Sequence, residues 1–284
     1  MIGEAELAHL RGWIGRSERG EDVVASELVR RFRATFDEAP GAPETGEPAP
    51  LGIHWCLSPA VAPASALGPD GHPARGGFLP PIPLPRRMWA GGALMLVDPL
   101  RVGDAVARIS RIADVQAKSG KSGLLCFVTV EHTYETARGP AIVERQDIVY
   151  READTGRAHA PTPAPPPTPP EPGARREAFP TDPVLLFRYS ALTFNGHRIH
   201  YDPDYARHEE GYAGLVVHGP LQATALLRFA AETMGQAPAR FSFRGLSPLI
   251  AGRPAFVNAA GEGDSRLWID DGEGRRSMTG EAEA

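Results

Sequence analysis

Four polar side chains able to transfer protons or form hydrogen bonds lie close together in the stretch LTFNGHRIHYDPDYA, residues 192–206. They are Asn195, His197, Arg198 and His200, in a chain that has only 9 histidines. An imidazole held in one tautomer by a neighbour can take a proton from water through its other nitrogen. A side-chain amide can hold the same water. These residues therefore suit a general base, His200, with Asn195 as its partner.

Two other interpretations of the stretch stay open from the residues alone. His197 and His200 form the pattern H-x-x-H, and two aspartates follow. A helix could place both imidazoles on one face for a metal, but Gly196 disfavours a helix here and no Cys or Glu cluster completes a ligand set. We therefore expect no metal. In the second interpretation, Asn195 only caps a turn and His200 only packs under the next helix.

Water addition to an activated double bond also needs a donor for the charge that develops on a carbonyl oxygen. The stretch HGPLQATALLRFAAETMG, residues 218–235, places apolar residues at helical spacing, and Gly235 can end the helix. Gly219 stands at its start, where backbone N–H groups are free and the helix dipole favours an anion. We expect Gly219 to bind the carbonyl oxygen and His218 to support it.

Further candidates for substrate binding are found in two loops. The stretch PLPRRMWAGG concentrates Arg86, Arg87 and Trp89 among prolines and glycines, which predicts a loop at the substrate entrance or against the second half of the chain. Arg244 lies at a predicted strand end and could meet the phosphates or pantetheine of an acyl carrier. The alternative for these arginines is an ordinary solvated loop and an ion pair within the fold.

The composition limits the class of protein. The chain has 284 residues with 42% hydrophobic and 23% charged residues, and its net charge of -5 argues against a nucleic-acid binder. No apolar run is long enough to span a bilayer, so we expect no membrane partner. The N-terminus lacks the features of a secretory signal. The 2 cysteines stand far apart in apolar surroundings, and a cytoplasmic location is expected.

A proline-rich segment divides the chain. Much of the total of 29 prolines falls in residues 159–183, which predicts a semi-rigid spacer without helix or strand. We expect a first half over residues 1–152, a linker over 153–180 and a second half over 181–284. Each half shows one helix, over residues 22–38 and 218–235, and several strands, including one over 183–194. The segment 118–123, KSGKSG, predicts a hairpin turn. The pattern is α+β, repeated.

Two long motifs of the second half resemble the MaoC-like (R)-specific enoyl-thioester hydratases and dehydratases. These are YSALTFNGHRIHYDPDYA and GYAGLVVHGPLQATALL. The usual family motif has the form S-G-D-x-N-P-x-H-x-D-P-x-x-A, with a catalytic Asp and His. In this chain Asn195 stands at the Asp position and His200 at the His position, while His197 and Arg198 replace the Asn-Pro pair.

The resemblance extends to the first half and to one branch of the family. FNGHRIHYD, HWCLSP and GGFLPPIPLPRRMWAGGAL resemble the branch that contains mitochondrial 3-hydroxyacyl-thioester dehydratases and bacterial 3-methylfumaryl-CoA (mesaconyl-CoA) hydratases. It implies a double hot-dog fold, with two antiparallel sheets each wrapped around a central helix. It also implies a first half that is not catalytic and forms one wall of the site. A fused double hot-dog can satisfy the usual dimer internally, so a monomer or a homodimer is expected.

The leading hypothesis is a hydro-lyase that hydrates an enoyl-CoA thioester reversibly, with 3-methylfumaryl-CoA as substrate and no cofactor. His200 takes a proton from water held by Asn195, and its imidazolium could return a proton to the α-carbon. The alternatives are a 3-hydroxyacyl-thioester dehydratase of fatty-acid synthesis, a hot-dog thioesterase, and an acyl-CoA-binding protein without turnover. A thioesterase needs a carboxylate, for which Asp202 and Asp204 are the nearby candidates, although both suit a helix start better.

Overall fold

The chain folds into two antiparallel half-sheets that join edge to edge. A computed structural model describes residues 3–120, 123–152, 171–261, 263 and 265–284. The elements of the first half are α1 (Glu4–Arg11), β1 (Ser17–Val23), α2 (Ser26–Thr35), β2 (Arg86–Leu96), β3 (Ala105–Gly120), β4 (Gly123–Thr136) and β5 (Gly139–Arg151), with short 3-10 helices at Ile53–Cys56 and Ala64–Ala66.

The second half has shorter strands and more helix. Its elements are β6 (Arg175–Ala178), α3 (Pro183–Thr193), a 3-10 turn (Arg198–His200), α4 (Pro203–His208), α5 (Gly219–Met234), β7 (Arg240–Gly245), β8 (Phe256–Ala260), β9 (Arg266–Asp270) and β10 (Arg276–Glu283). The strand order of the described sheet is β1-β3-β4-β5-β2-β7-β10-β9-β8-β6. The predicted α+β class is confirmed.

The junction between the halves is the antiparallel pair β2–β7. Its register runs from Gly91 opposite Arg244 to Met95 opposite Arg240. An irregularity between Trp89 and Gly91 bends β2 just before this pairing begins. Glycine is required there, since a Cβ on Gly91 would lie 2.6 Å from the Phe243 carbonyl oxygen. One apolar core cluster draws residues from both halves, so the sheet and the core cross the junction together.

Helix α5 packs against the sheet of the second half and forms as predicted. Leu221, Leu226 and Phe229 are buried on one face, and Gly235 ends the helix in the left-handed conformation with φ of 71°. The first-half helix α2 buries Val29 and Phe32 in the same core. It is shorter than predicted because Asp22 and Val23 belong to β1.

The predicted strand over residues 183–194 is wrong, because this segment forms helix α3. Asp182 is its N-cap, with the side chain accepting hydrogen bonds from the backbone N–H groups of Val184 and Leu185, and Pro183 takes the first helical position. Leu186 and Tyr189 are buried on its inner face. An Asp-Pro start is a helix signal, and here it outweighs the apolar, aromatic content that favoured a strand.

The proline-rich segment was predicted to contain no helix or strand, which is wrong for its last part. Residues Arg175–Ala178 pair with β8 as the edge strand β6. Arg176 anchors this strand, with its guanidinium 3.0 Å from the buried Asp270 carboxylate. Residues 153–170 lie outside the described residues, so for this part the linker predicted over 153–180 stays a prediction.

The other predicted strands are confirmed, from β3 to β5 and from β7 to β10. The hairpin at residues 118–123 is confirmed by the antiparallel pairing of Gly120 with Gly123, although residues 121 and 122 are not described. Among the described helices, none combines the length and the apolar character that crossing a membrane requires.

Candidate active site

His200 lies at the end of a 3-10 turn with one ring nitrogen fixed. Its Nδ1 is 2.7 Å from the carbonyl oxygen of Val216. A carbonyl only accepts hydrogen bonds, so Nδ1 carries the hydrogen and Nε2 carries the lone pair. The ring is 6% exposed. Burial, followed by the nearby His197 and His72, lowers the pKa of His200 to about 3. The imidazole is therefore neutral near pH 7 and has a free nitrogen for a proton.

His218 stacks on His200 and joins it to helix α3. The two ring centroids are 3.6 Å apart with an angle of 19° between the planes. The Nε2 of His218 lies 2.8 Å from the Ser190 hydroxyl. Its Nδ1 is buried without a partner among the described residues. Burial and then the charge of a protonated His200 hold the pKa of His218 well below its usual range. The second ring therefore stays neutral and keeps the first in place.

Asn195 forms a local turn between α3 and the 3-10 turn that carries His200. Its Oδ1 accepts a hydrogen bond from the His197 backbone N–H at 2.9 Å. This is the turn-capping role that the sequence left open. An amide oxygen has a second lone pair, so the same atom can still accept a hydrogen bond from water. The His197 ring lies 5.4 Å from that of His200, centroid to centroid.

Gly219 begins helix α5 immediately after His218. A Cβ at this position would lie 3.2 Å from Cε3 of Trp89, a contact tighter than ordinary packing allows. Trp89 in turn packs edge-on against Trp55, with ring centroids 5.4 Å apart. The first half thus places an aromatic wall directly against the N-terminus of α5. Glycine lets that wall approach the helix end closely.

Asp70 and His72 also reach the site, and no prediction from the sequence included them. They belong to the loop between the 3-10 helix at Ala64–Ala66 and β2. The His72 ring centroid lies 4.2 Å from that of His197. One potential ligand atom from each of Asp70, His72 and His197 lies within 4.8 Å of the other two, so this trio is where a metal ion could be held. The expectation of no metal is left untested.

The remaining predicted residues divide into two groups. Arg86 and Arg87 begin strand β2, so the loop predicted for this stretch is wrong; pairing with β5 turns these residues into strand. The Nε of Arg86 is 3.5 Å from the Glu210 carboxylate. The positive charge of Arg87 is one of the causes, after burial, that lower the pKa of His197. The exposed Arg244 follows the buried Phe243 on β7, so its side chain points to the opposite face of the sheet. The structure therefore does not bring Arg244 together with the histidines.

Solved structures share this architecture. HtdX from Mycobacterium tuberculosis has a TM-score of 0.65 at 20% identity, covering 95% of this chain and all (100%) of its own. Another Mycobacterium tuberculosis protein, described as having a double hotdog fold, has a TM-score of 0.58 at 13% identity, covering 95% of each chain. These likenesses confirm the double hot-dog fold expected from the sequence.

The family model and the curated relatives identify the chain as a hydro-lyase of the MaoC-like class. The chain belongs to the hydroxyacyl-thioester dehydratase type 2 family, whose model matches residues 52–251. It is 46% identical to the mesaconyl-C(4)-CoA hydratase of Chloroflexus aurantiacus over 252 residues, covering 89% of both chains. It is 30% identical to the mitochondrial hydroxyacyl-thioester dehydratase type 2 of Schizosaccharomyces pombe over 245 residues, covering 77% of this chain and 79% of the relative.

Proposed function

We propose that the protein adds water reversibly to the double bond of 3-methylfumaryl-CoA (mesaconyl-CoA) to give citramalyl-CoA. The observation that carries this proposal is the buried, neutral His200, whose Nδ1–H is fixed on the Val216 carbonyl so that Nε2 is a free base. The choice of acyl group is supported by the 46% identity to a relative with a mesaconyl-CoA name.

The proposed reaction uses three groups of the second half. The backbone N–H of Gly219, at the N-terminus of α5, binds the thioester carbonyl oxygen and stabilises negative charge there. Electron density is then drawn from the β-carbon. Asn195 holds a water, and Nε2 of His200 removes its proton as the oxygen bonds to the β-carbon. The π electrons of the double bond move towards the carbonyl oxygen and form an enolate. The reaction is complete when the α-carbon of this enolate gains a proton.

A second candidate is the dehydration of a 3-hydroxyacyl thioester, which is the same reaction in reverse on a different acyl chain. It is favoured by the relative from Schizosaccharomyces pombe. The two candidates differ in the free carboxylate of the 3-methylfumaryl group. A substrate series with and without this carboxylate therefore separates them.

The thioesterase alternative is disfavoured by the positions of the two candidate carboxylates. Asp202 caps α4 by accepting from the Tyr205 N–H and pairs with Arg198 at 2.8 Å. Asp204 is exposed on the first turn of α4. Neither is placed as a base for a thioester carbonyl. A binding protein without turnover is separated from the enzyme by activity alone.

The test follows the absorbance of the conjugated enoyl thioester together with free thiol. We expect 3-methylfumaryl-CoA to lose its absorbance while the thiol stays masked, and crotonyl-CoA to react more slowly. Preferential turnover of enoyl thioesters without a carboxylate would favour the second candidate. Free thiol would indicate a thioesterase. An unchanged absorbance with every ester would contradict the proposal.

A further inference from the structure

A carboxyl group is buried in the first half, which was expected to be non-catalytic. Glu144 lies on β5 and is 1% exposed. Its Oε1 accepts a hydrogen bond from the Trp55 Nε1–H at 3.0 Å, and its Oε2 accepts one from the Tyr134 hydroxyl at 3.3 Å. A buried carboxyl group is costly for stability even when it is hydrogen-bonded, and the proposed hydration does not use Glu144 as a reactant.

Glu144 is the polar anchor of an aromatic cluster that crosses the junction between the halves. The cluster consists of Trp55, Trp89 and Phe243. Trp55 and Trp89 meet edge-on with ring centroids 5.4 Å apart, and Phe243 of β7 lies 4.9 Å from Trp89 and 6.1 Å from Trp55. The Nε1 of Trp89 is buried without a partner among the described residues. Within the described part of the chain, the hydrogen bond from Trp55 to Glu144 is therefore the one side-chain polar contact that fixes these rings.

The aromatic cluster and the 3-10 helix that carries Trp55 both contact α5. Trp89 packs against Gly219, where a Cβ would lie 3.2 Å from its Cε3. Gly52 precedes the 3-10 helix, and a Cβ on Gly52 would lie 2.8 Å from Cγ2 of the fully buried Thr224. The first half therefore contacts α5 at its first residue and again at Thr224, and both contacts come from the segments that hold the aromatic rings.

The contribution of an oxyanion donor depends on its position. A backbone N–H stabilises the developing charge only when it lies at hydrogen-bond distance from the oxygen in the transition state, and loss of one such donor costs about 10²–10³-fold in kcat. A misplacement of about 1 Å caused by a change far from the chemistry can cost about 10²-fold. The residues that hold α5 in place thus affect the rate without touching the substrate.

We propose that Glu144 is a positioning residue for the hydration reaction. It holds Trp55, and through Trp55 and Trp89 it fixes the N–H of Gly219 where the thioester carbonyl oxygen binds. This inference rests on the proposed function. Glu144 exchanges no proton and does not contact the substrate. The first half thereby contributes to the stabilisation of the enolate through a carboxyl group on β5, in addition to forming a wall of the site.

The experiment compares two substitutions of Glu144 with one at a buried carboxyl group of the second half. Glu144→Leu removes both acceptor oxygens, whereas Glu144→Gln keeps a side-chain oxygen that can accept from Trp55. Asp270→Asn is the control, because Asp270 is 2% exposed and binds Arg176 and Asn258, outside the aromatic cluster. We expect Glu144→Leu to lower kcat by about tenfold with KM changed only a few-fold. The other two variants should keep most of the wild-type kcat.

The readout specific to positioning is the infrared carbonyl stretch of a bound ligand that cannot react. The probe is 3-methylsuccinyl-CoA, the saturated analogue of the proposed substrate, isotope-labelled at the thioester carbonyl carbon. A hydrogen bond from the Gly219 N–H weakens the C=O bond, so binding to the wild type should lower the stretching frequency. The shift should be smaller in Glu144→Leu and restored in Glu144→Gln. A loss of stability alone would leave the shift of the folded protein unchanged.

Several outcomes would overturn the inference. Glu144→Leu with the full wild-type frequency shift, or with more than half of the wild-type kcat, removes Glu144 from positioning while leaving the hydration proposal intact. An equal loss of the shift in Asp270→Asn would do the same. Should Glu144→Leu misfold by circular dichroism, Trp55→Phe decides, because it removes the N–H donor and keeps an aromatic ring; an unchanged shift there contradicts the inference. A wild type inert on all enoyl thioesters would overturn the hydration proposal and this inference with it.

Discussion

Buried histidines in the two halves of the molecule have different surroundings. In the first half, His132 lies on β4 with both ring nitrogens engaged, Nδ1 with the Ser110 hydroxyl at 2.8 Å and Nε2 with the Gln146 side chain at 3.2 Å. In the second half, His200 has Nδ1 tied to a carbonyl and Nε2 free. Burial alone therefore does not mark a catalytic histidine. The proposal for His200 rests instead on a fixed tautomer whose other nitrogen has no partner among the described residues, next to a helix N-terminus.

The helices of the two halves differ in the same way. Neither α2 nor α5 has a side-chain cap at its N-terminus, and α2, with 10 residues, starts at the apolar N-cap Ala25. α5 has 16 residues, and its N-cap is His218 itself, stacked on His200. Both helix ends offer free N–H groups, but only α5 places them beside an imidazole pair. The first half contributes to the site by its loops and by Trp89.

The largest expected effect comes from removing the free imidazole of the second half. His200→Ala should lower kcat by about 10²–10⁴-fold with little change in substrate affinity, because the ring acts on water. His132→Ala is the matched change in the first half. It should cost stability, about 1–3 kcal/mol for the broken buried hydrogen bonds, and leave kcat within a few-fold of wild type. Steady-state kinetics measure kcat and urea melts measure stability for the two variants. Equal losses of activity in His200→Ala and His132→Ala would contradict the proposed difference between the two histidines.

Acidification should destabilise the protein mainly through the second half. Burial, the largest cause in each case, lowers the pKa of His197 and His200 to about 3 and that of His218 well below its usual range. In the first half, burial lowers the pKa of two histidines, His54 to about 4 and His72 by a smaller amount. The unfolded chain takes up protons near pH 6.5 that the folded chain refuses, so this stability is complete above pH 6.5 and falls below it.

Because each of these histidines is protonated only in the unfolded chain, each should lower the free energy of unfolding by about 1 kcal/mol between pH 7 and pH 5.5. Urea melts at several pH values measure the slope. His54→Gln should reduce the slope of the free energy of unfolding against pH by the contribution of one proton. A slope that stays flat down to pH 5.5 would show that the buried rings are protonated in the fold.

A smaller effect is expected from the glycine at each end of α5. Gly219→Ala should lower kcat by about tenfold, because the new Cβ crowds Trp89 and shifts the N–H that binds the carbonyl oxygen. Gly235→Ala, at φ of 71°, should cost about 1 kcal/mol of stability and leave kcat unchanged. Kinetics and thermal melts separate the two. Full activity of Gly219→Ala would remove this N–H from the mechanism.

The smallest effect is a shift in the pH dependence of the rate. Asn195→Asp places a carboxylate near His200, which should raise the pKa of that ring from about 3 by about one unit. The rate at pH 7 then changes little, while rates between pH 4 and pH 5 begin to fall. Gln116→Glu adds the same charge on the exposed surface of β3 and should leave the profile unchanged. Identical profiles for all three proteins would show that Asn195 lies too far from His200 to act on it.

The sequence predicted what is encoded locally. α5 followed from one apolar face and a terminal glycine, and the long strands β4 and β5 followed from alternating or apolar runs with β-branched residues. α3 was missed because its aromatic and aliphatic residues fit both a strand and a helix, and only the Asp-Pro start distinguished them. β6 was missed because pairing with β8 depends on the tertiary fold, not on composition.

Asp70 and His72 could not be found in the same way. Their separation from His197 along the chain exceeds 120 residues, and the contact exists only because the first-half loop folds across the junction. Within its own segment, the Asp-Gly-His triplet resembles an ordinary polar turn. The signal that could have found it is a second histidine beside an aspartate in a glycine-rich loop, once the two halves are known to face each other.

The β2–β7 pairing has a consequence for how the chain evolves and unfolds. Because backbone hydrogen bonds and one apolar core cross this junction, the halves are expected to melt as one cooperative unit despite their repeated architecture. Cutting them apart would leave two unpaired strand edges, which invite aggregation. The first half is therefore not a module that can be exchanged freely, and its sequence has to change in step with that of its neighbour.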